Sequence, residues 1–250
     1  MLKVGIYNKG AYAQEYKKEI TSNLNEKLSP SRSDLNESIV TSDIITPVSS
    51  STSLEVLIDD AKKLRNNGAN ALAIPHNGLS KQADAIEQAM GMHVIRPASG
   101  IAKEAEEQSI KRIGFVGTQA IMSTPYMKYI LQMHGIEVVV PNEEDQALIN
   151  DIIFQILIPN DLENYAKSKA KVLEIMSKFQ NVDGFATGCM ELPKILCQDD
   201  FSLPLLLSMD LHKKDIEQRI INSISYDEAQ NLGVDSIVLK KVKTNHPIYY

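Results

Sequence analysis

Short apolar runs recur along the chain, and amphipathic stretches separate them. The runs are rich in Val, Ile and Leu, a composition typical of strands that are buried on both faces. They predict strands at residues 2–7, 39–46, 70–75, 92–96, 112–117, 136–140, 183–187 and 203–207. Because helical patterns alternate with these runs, we predict an α/β fold with mainly parallel sheets flanked by helices.

The helical patterns are clearest where apolar residues recur every three or four positions. Residues 53–66 carry an apolar face and end before Gly68, and this face is formed by Leu54, Leu57, Ile58, Ala61 and Leu64. Similar patterns predict helices at 79–90, 98–109, 123–134 and 143–157. Residues 25–38 are polar and rich in turn-forming residues, so they predict a surface loop.

Two pairs of segments resemble each other within the chain. "KVGIYNKGAY" at 3–12 is similar to "RIGFVGTQAI" at 112–121, and "ALAIPHNGLSK" at 71–81 is similar to "GFATGCMELPK" at 184–194. The offsets are 109 positions between Val4 and Ile113 and 113 between His76 and Cys189. Nearly equal offsets indicate a duplicated α/β unit. We therefore predict two pseudo-symmetric subdomains, residues 1–97 with part of the C-terminal region (about 208–250), and residues 98–207.

The duplication predicts where a ligand would bind. Ligands of open α/β sheets bind beyond the carboxyl ends of the strands. The turns that follow the repeated strands would then face one cleft between the halves, and His76 and Cys189 would approach a substrate from opposite sides. A base on one face of a carbon and an acid on the other are what inversion of a stereocentre requires.

Composition narrows the class of partner. The net charge is -6 with no long basic run, which argues against nucleic acid. We see neither a signal peptide nor an apolar run near the ~20 residues of a membrane span, so we expect a cytoplasmic protein. The two cysteines, Cys189 and Cys197, form neither a disulfide framework nor a zinc site, and we expect no metal.

The two turns resemble motifs of a known family. "IPHNG" resembles the "PCNT" element of the cofactor-independent aspartate/glutamate racemase superfamily, and "TGCMELP" resembles its "GCTELP" element. "IGFVGTQAIM" and "GIEVVVPNEEDQALINDIIFQIL" resemble the segments that connect such elements. The resemblance covers roughly residues 1–220.

This resemblance implies a racemase of acidic amino acids, or of related carboxylic acids, that uses neither pyridoxal phosphate nor metal. It implies a homodimer and a pair of cysteines that act as acid and base. Carried onto this chain, Cys189 is the second catalytic thiol and His76 stands where the first is usual. The substrate-binding positions would be Asn8, Asn77, Gly78, Thr118, Met190 and Glu191.

The physical setting of Cys189 supports a reactive thiol. A strand is expected to give way to a helix there, and free amides with the positive end of a helix dipole would lower a thiol pKa. Glu191 could orient the thiol or take its proton, and as a carboxylate it would oppose that lowering. Cys197 lacks such a setting.

Departures from the family pattern leave three functions open. His76 replaces the first Cys, Gly78 and Met190 replace two Thr residues, and "TPVSSSTS" lacks the Arg that grips a side-chain carboxylate in some aspartate racemases. The first function is an aspartate or glutamate racemase that pairs Cys189 with His76. The second is a one-thiol decarboxylase of an arylmalonate-type acid. The third is a relative that binds a small carboxylate without catalysis.

Overall fold

The computed structural model describes residues 2–7, 11–28, 39–41 and 52–224. It divides into two compact units. The first comprises the described residues up to Arg96 together with those from Lys213 onward, and the second spans Pro97–His212. Each unit has its own sheet.

The first unit is built on four parallel strands in the order β2-β1-β3-β4. These strands are β1 (Val4–Ile6), β2 (Ile39–Thr41), β3 (Ala71–Ala73) and β4 (His93–Ile95). Its helices are α1 (Ala11–Leu28), α2 (Leu54–Asn66), α3 (Ala83–Met90) and the larger part of α9 (Ser208–Asn222).

The second unit repeats this topology, with strand order β6-β5-β7-β8 and parallel pairing throughout. Its strands are β5 (Arg112–Val116), β6 (Glu137–Val139), β7 (Gly184–Thr187) and β8 (Leu205–Leu207). Its helices are α4 (Pro97–Glu107), α5 (Gln119–Ser123), α6 (Pro125–Met133), α7 (Glu143–Ile152) and α8 (Tyr165–Ser177). The predicted α/β fold with two parallel sheets is confirmed, and the shared strand order is what a duplicated unit predicts.

Helices pack against both faces of the first sheet, as the contacts of neighbouring residues in β3 show. Ala71 and Ala73 belong to a core with Tyr16, Ile20 and Leu24 of α1 and Ile216 and Ile220 of α9. Leu72, between them, belongs to a second core with Leu57 and Leu64 of α2 and Ile86 of α3. Successive strand side chains point to opposite faces, so both faces must be covered by apolar helix surfaces.

Several predicted boundaries change. The strands lie where we predict them but are shorter, and the part of the second run beyond residue 41 lies outside the described residues. The loop predicted at 25–38 is wrong for its first four residues, because α1 continues to Leu28. The helix predicted at 123–134 is α6, which begins at Pro125 because Thr124 is extended, and Ser123 is the last residue of α5, a helix that we do not predict.

The spacing of apolar residues did not predict two features of the second unit. Helix α8 lies where we predict none, and α7 continues directly into a π-helical turn, Ile153–Leu157. Within the described residues, no helix is both long enough and apolar enough to cross a membrane.

Candidate functional site

The register of the second sheet brings Thr118 and Cys189 to one edge. Val116 of β5 pairs with Thr187 of β7. Thr118 and Cys189 each lie two residues beyond this pair, so they leave the sheet at the same edge. Thr118 is the N-terminal flanking residue of α5, but its side chain makes no capping hydrogen bond. The edge therefore presents a hydroxyl and a thiol from adjacent parallel strands.

Two glycines let the backbone pass close to the core at this edge. A Cβ on Gly188 would lie 2.2 Å from Cζ of Phe115, whose ring is fully buried. A Cβ on Gly117 would lie 2.8 Å from Ile121 and 3.4 Å from the Gly188 backbone. The Gly of "TGC" is thus constrained, because any side chain at position 188 would collide with the buried Phe115 ring.

The Cys189 thiol is partly buried against the core of the second unit. Burial raises the pKa of the thiol to about 11, although the backbone N–H groups of Glu191 and Leu192 donate to the sulfur and lower it. The Glu191 carboxylate adds to the rise, and Lys194 opposes it. The predicted lowering of the pKa is therefore wrong, because desolvation outweighs the two amide donors.

The predicted helix after Cys189 is also wrong, and this removes part of the expected stabilisation of the thiolate. The chain makes a turn and then a 3₁₀ segment of three residues, Leu192–Lys194. So short a segment sums few peptide dipoles. What remains at the sulfur is a pair of individual N–H donors.

Met190 and Glu191 flank the thiol in different ways. Met190 is 42% exposed, so its apolar side chain is accessible to solvent beside the thiol. The Glu191 carboxylate is mostly buried, and its Oε2 lies 2.6 Å from Nζ of Lys194. Glu191 is therefore engaged in an ion pair rather than bonded to the thiol.

In the first unit, His76, Asn77 and Gly78 follow β3. Asn77 is buried, and His76 and Gly78 are partly exposed. The backbone N–H of Leu79 donates to Nδ1 of His76 at 3.1 Å and also lies 3.2 Å from the His76 carbonyl oxygen. With Nδ1 as an acceptor, a neutral His76 ring carries its proton on Nε2.

The two turns share one hydrogen-bond pattern. In each, a buried Leu lies three residues after the candidate group, and its backbone N–H donates to that group. Leu79 donates to the imidazole and Leu192 to the thiol. Each turn also contains a 3₁₀ segment of three residues, Ser80–Gln82 directly after Leu79 in the first and Leu192–Lys194 beginning at the Leu itself in the second. The sequence similarity between the two turns is thus a similarity of backbone structure.

The structure groups the predicted residues by unit. Thr118, Cys189, Met190 and Glu191 lie at the carboxyl edge of the second sheet, and His76, Asn77 and Gly78 lie at that of the first. Asn8 lies outside the described residues. Among the described residues, no group of three or more His, Cys, Asp or Glu side chains could hold a metal ion.

Lys194 is a charged neighbour of the thiol to which we assigned no role from sequence. Both similar segments end in Leu-x-Lys, so the repeat already marks the position. What the repeat does not show is that Lys194 has a carboxylate within reach, because Gly78 stands in the first turn where Glu191 stands in the second.

Two parallel sheets share one strand order, and in each the turn after the third strand carries an ionisable side chain, His76 or Cys189. The fold is thus that of an α/β protein with two similar units. The sequence model of the Asp/Glu/hydantoin racemase family matches residues 19–215, well over half of the chain. The chain belongs to this family. The predicted enzyme class, an isomerase of the amino-acid racemase type, is confirmed at the level of the family.

Individual relatives are distant. The broad specificity amino-acid racemase RacX of Bacillus subtilis (strain 168) is 23% identical over 160 residues, which are 64% of this chain and 69% of RacX. A solved structure from Yersinia pestis, assigned to the Asp/Glu racemases, has a TM-score of 0.79 at 23% identity and covers 88% of this chain and 99% of its own. An aspartate racemase homologue from Pyrococcus horikoshii OT3 has a TM-score of 0.72 at 22% identity, with coverages of 88% and 99%. At these identities the solved structures show the fold alone.

Proposed function

We propose that the chain racemises aspartate or glutamate by proton transfer at Cα, without pyridoxal phosphate, with Cys189 as the indispensable acid/base. The observation that carries the proposal is the setting of the Cys189 sulfur, which accepts two backbone N–H groups at the carboxyl edge of a parallel sheet in a member of a racemase family. RacX, one relative of this chain, is an amino-acid racemase of broad specificity, which supports amino acids as the substrate class.

The raised pKa of Cys189 decides which form of the thiol is present at rest. At neutral pH the group is a protonated thiol, ready to deliver a proton to a carbanion at Cα. To remove a proton from Cα in the reverse direction, the thiol must first release its own proton to solvent, and a positive charge close to the sulfur would favour the resulting thiolate. The ammonium group of an amino-acid substrate supplies such a charge.

His76 is the proposed second group of the pair. In the observed arrangement its Nδ1 is an acceptor, so Nε2–H can donate to a substrate carboxylate or to the developing enolate. Removing a proton through Nε2 requires the other tautomer, with the proton on Nδ1. The Leu79 N–H would then keep only the His76 carbonyl as acceptor. The arrangement thus supports donation by His76 more directly than proton removal.

The remaining predicted residues are proposed to bind substrate. Asn77 would hold the α-carboxylate or amine, and Asn8, Gly78 and Thr118 would line the substrate site. The Thr118 hydroxyl supports this role because it does not cap its own helix. Met190 and Glu191 would line the site beside the thiol. A homodimer and a cytoplasmic setting stay predictions.

Chiral chromatography of each enantiomer of aspartate and glutamate tests the proposal. Wild-type protein should interconvert the enantiomers of at least one acid. Cys189→Ala should lower kcat/KM by roughly 10²–10⁴-fold, the usual contribution of a positioned acid/base, while the matched control Cys197→Ala should retain activity. Equal activity of Cys189→Ala and wild type would refute the proposal.

The second candidate is a one-thiol decarboxylase, and the protonated state of Cys189 favours it. Such an enzyme needs only a thiol that protonates a carbanion after carbon dioxide leaves, which a pKa of about 11 ensures. The exposed apolar Met190 beside the thiol suits an aryl or alkyl substituent.

Release of carbon dioxide from a substituted malonate, with a single solvent deuterium in the product, would establish the decarboxylase. Interconversion of enantiomers without carbon dioxide would establish the racemase. Binding of the acids without any label or turnover would leave a carboxylate-binding relative that lacks both activities.

A further inference from the structure

Lys194 is held from two sides beside the candidate thiol. Its Nζ lies 2.6 Å from Oε2 of Glu191 and donates to the carbonyl oxygen of Leu157 at 2.7 Å. Leu157 is the last residue of the π-helical turn that extends α7, and carbonyls at a helical C-terminus attract cations. The Lys194 ammonium therefore connects this helical end to the carboxylate that follows Cys189.

The two charges of this pair act on the thiol in opposite directions. Glu191 raises the pKa of Cys189 and Lys194 lowers it. Within the described part of the second unit, these are the charged groups that act on the thiol. A Glu191 carboxylate without its lysine would therefore disfavour the thiolate more strongly than the observed pair does.

The first turn shows that the fold does not require this pair. Lys81 occupies the position corresponding to Lys194, is exposed, and has Gly78 where the second turn has Glu191. Each turn nevertheless forms a 3₁₀ segment of three residues and buries the corresponding Leu, Leu79 or Leu192. The Glu–Lys ion pair is therefore present in the turn that carries the thiol and is not needed to form the turn.

We propose that Lys194 is a positioning residue. Its ammonium group donates to the Leu157 carbonyl and pairs with the Glu191 carboxylate, whose charge it compensates, so that Cys189 can change its protonation state during turnover. The relevance to turnover rests on the proposed role of Cys189. The effect of Lys194 on the thiol does not, and it can be measured without any substrate.

The experiment measures iodoacetamide alkylation of Cys189 as a function of pH, in a Cys197→Ser background that leaves a single thiol. Lys194→Met removes the charge and the hydrogen bond to the Leu157 carbonyl. Lys194→Gln removes the charge but keeps an N–H donor for Leu157, and Lys194→Arg keeps the charge. Lys81→Met is the matched control, and thermal unfolding verifies that each variant folds.

Lys194→Met and Lys194→Gln should alkylate roughly twofold more slowly between pH 7 and 10, which corresponds to a rise of about half a pKa unit in a partly exposed pair once the greater nucleophilicity of a more basic thiolate is included. Lys194→Arg and Lys81→Met should both match the parent. In a Glu191→Gln background, Lys194→Met should lose part of its effect, because the carboxylate that Lys194 holds is gone while the direct attraction between the ammonium and the thiolate remains.

Unchanged alkylation in both Lys194→Met and Lys194→Gln would overturn the inference. So would an equally large effect of Lys194→Met in the Glu191→Gln background, since Lys194 would then act independently of the carboxylate. If wild-type protein fails to racemise the acids while the alkylation shift is found, the proposed function fails and the effect of Lys194 on the thiol stands. Racemisation without the shift would reject the role of Lys194 alone.

Discussion

The protonation state of Cys189 makes a prediction that opposes simple intuition about a catalytic thiol. In a Cys197→Ser variant, Cys189 should react with iodoacetamide more slowly at pH 8 than a small-molecule thiol with an ordinary pKa. The reason is that burial raises the thiol pKa to about 11 despite two amide donors. Only the thiolate is alkylated at an appreciable rate.

The magnitude follows from two opposing effects. At pH 8 a thiol with that pKa is about one part in a thousand thiolate, whereas a thiol near 8.5 is about one quarter thiolate. A more basic thiolate is also more nucleophilic, by roughly tenfold over this interval for a Brønsted coefficient of about 0.4–0.5. The net rate should be roughly ten- to thirtyfold lower, before any additional slowing by limited access to the sulfur.

The assay is mass-spectrometric quantification of alkylated Cys189 between pH 7 and 10, with circular dichroism at each pH to confirm that the protein stays folded. The rate should rise about tenfold per pH unit across the whole range, because the range lies below the thiol pKa. The same chain in urea should react like the reference thiol. A folded-state rate that exceeds the reference at pH 7, or that levels off below pH 9, would refute the reasoning and restore a stabilised thiolate.

Three further predictions concern the glycine before the thiol, two helix caps and His76. Gly188→Ala should lower the free energy of unfolding by about 1–3 kcal/mol in urea titrations, because its Cβ would lie 2.2 Å from the buried Phe115 ring; an unchanged midpoint would contradict this contact. Asn142→Ala, at the start of α7, should lower the free energy of unfolding by about 1 kcal/mol, and Ser53→Ala, at the start of α2, should lower it less, because their capping oxygens lie 2.8 Å and 3.5 Å from the amides that they cap. A larger loss of stability for Ser53→Ala in the same titrations would be inconsistent with those distances. His76→Cys should raise racemisation of aspartate or glutamate above wild type, while His76→Ala should abolish exchange from one face of Cα only, as followed by deuterium incorporation from each enantiomer; His76→Ala with full two-face exchange would exclude His76 from the pair.

Much of the fold was predictable because local patterns and packing agree. Strand runs such as 70–75 are apolar on both faces, and the structure covers both faces of β3 with helices. The repeat between 71–81 and 184–194 predicted equivalent positions, and β3 and β7 occupy the same place in their sheets. Boundaries were less accurate, as at α1, where polar residues that suggest a loop lie on the exposed side of a helix.

The electrostatics of the site could not be read from the sequence. A helix dipole at Cys189 depends on a helix that the chain does not form, and the desolvation of the thiol comes from core residues distant in sequence. The proton position on His76 is likewise set by a backbone amide three residues later. Both effects depend on distances between atoms in the folded chain, and residue type and sequence spacing do not determine those distances.

The central claim is that Cys189 transfers a proton at Cα of an acidic amino acid. The most direct measurement is loss of the Cα–H signal of L-aspartate and L-glutamate in deuterium oxide, followed by proton NMR with wild-type, Cys189→Ala and Cys197→Ala proteins. We predict that wild type and Cys197→Ala exchange the Cα proton of at least one acid, and that Cys189→Ala exchanges neither above the rate without protein. Exchange by Cys189→Ala at the wild-type rate, or no exchange by wild type with saturating amounts of either acid, would contradict the account.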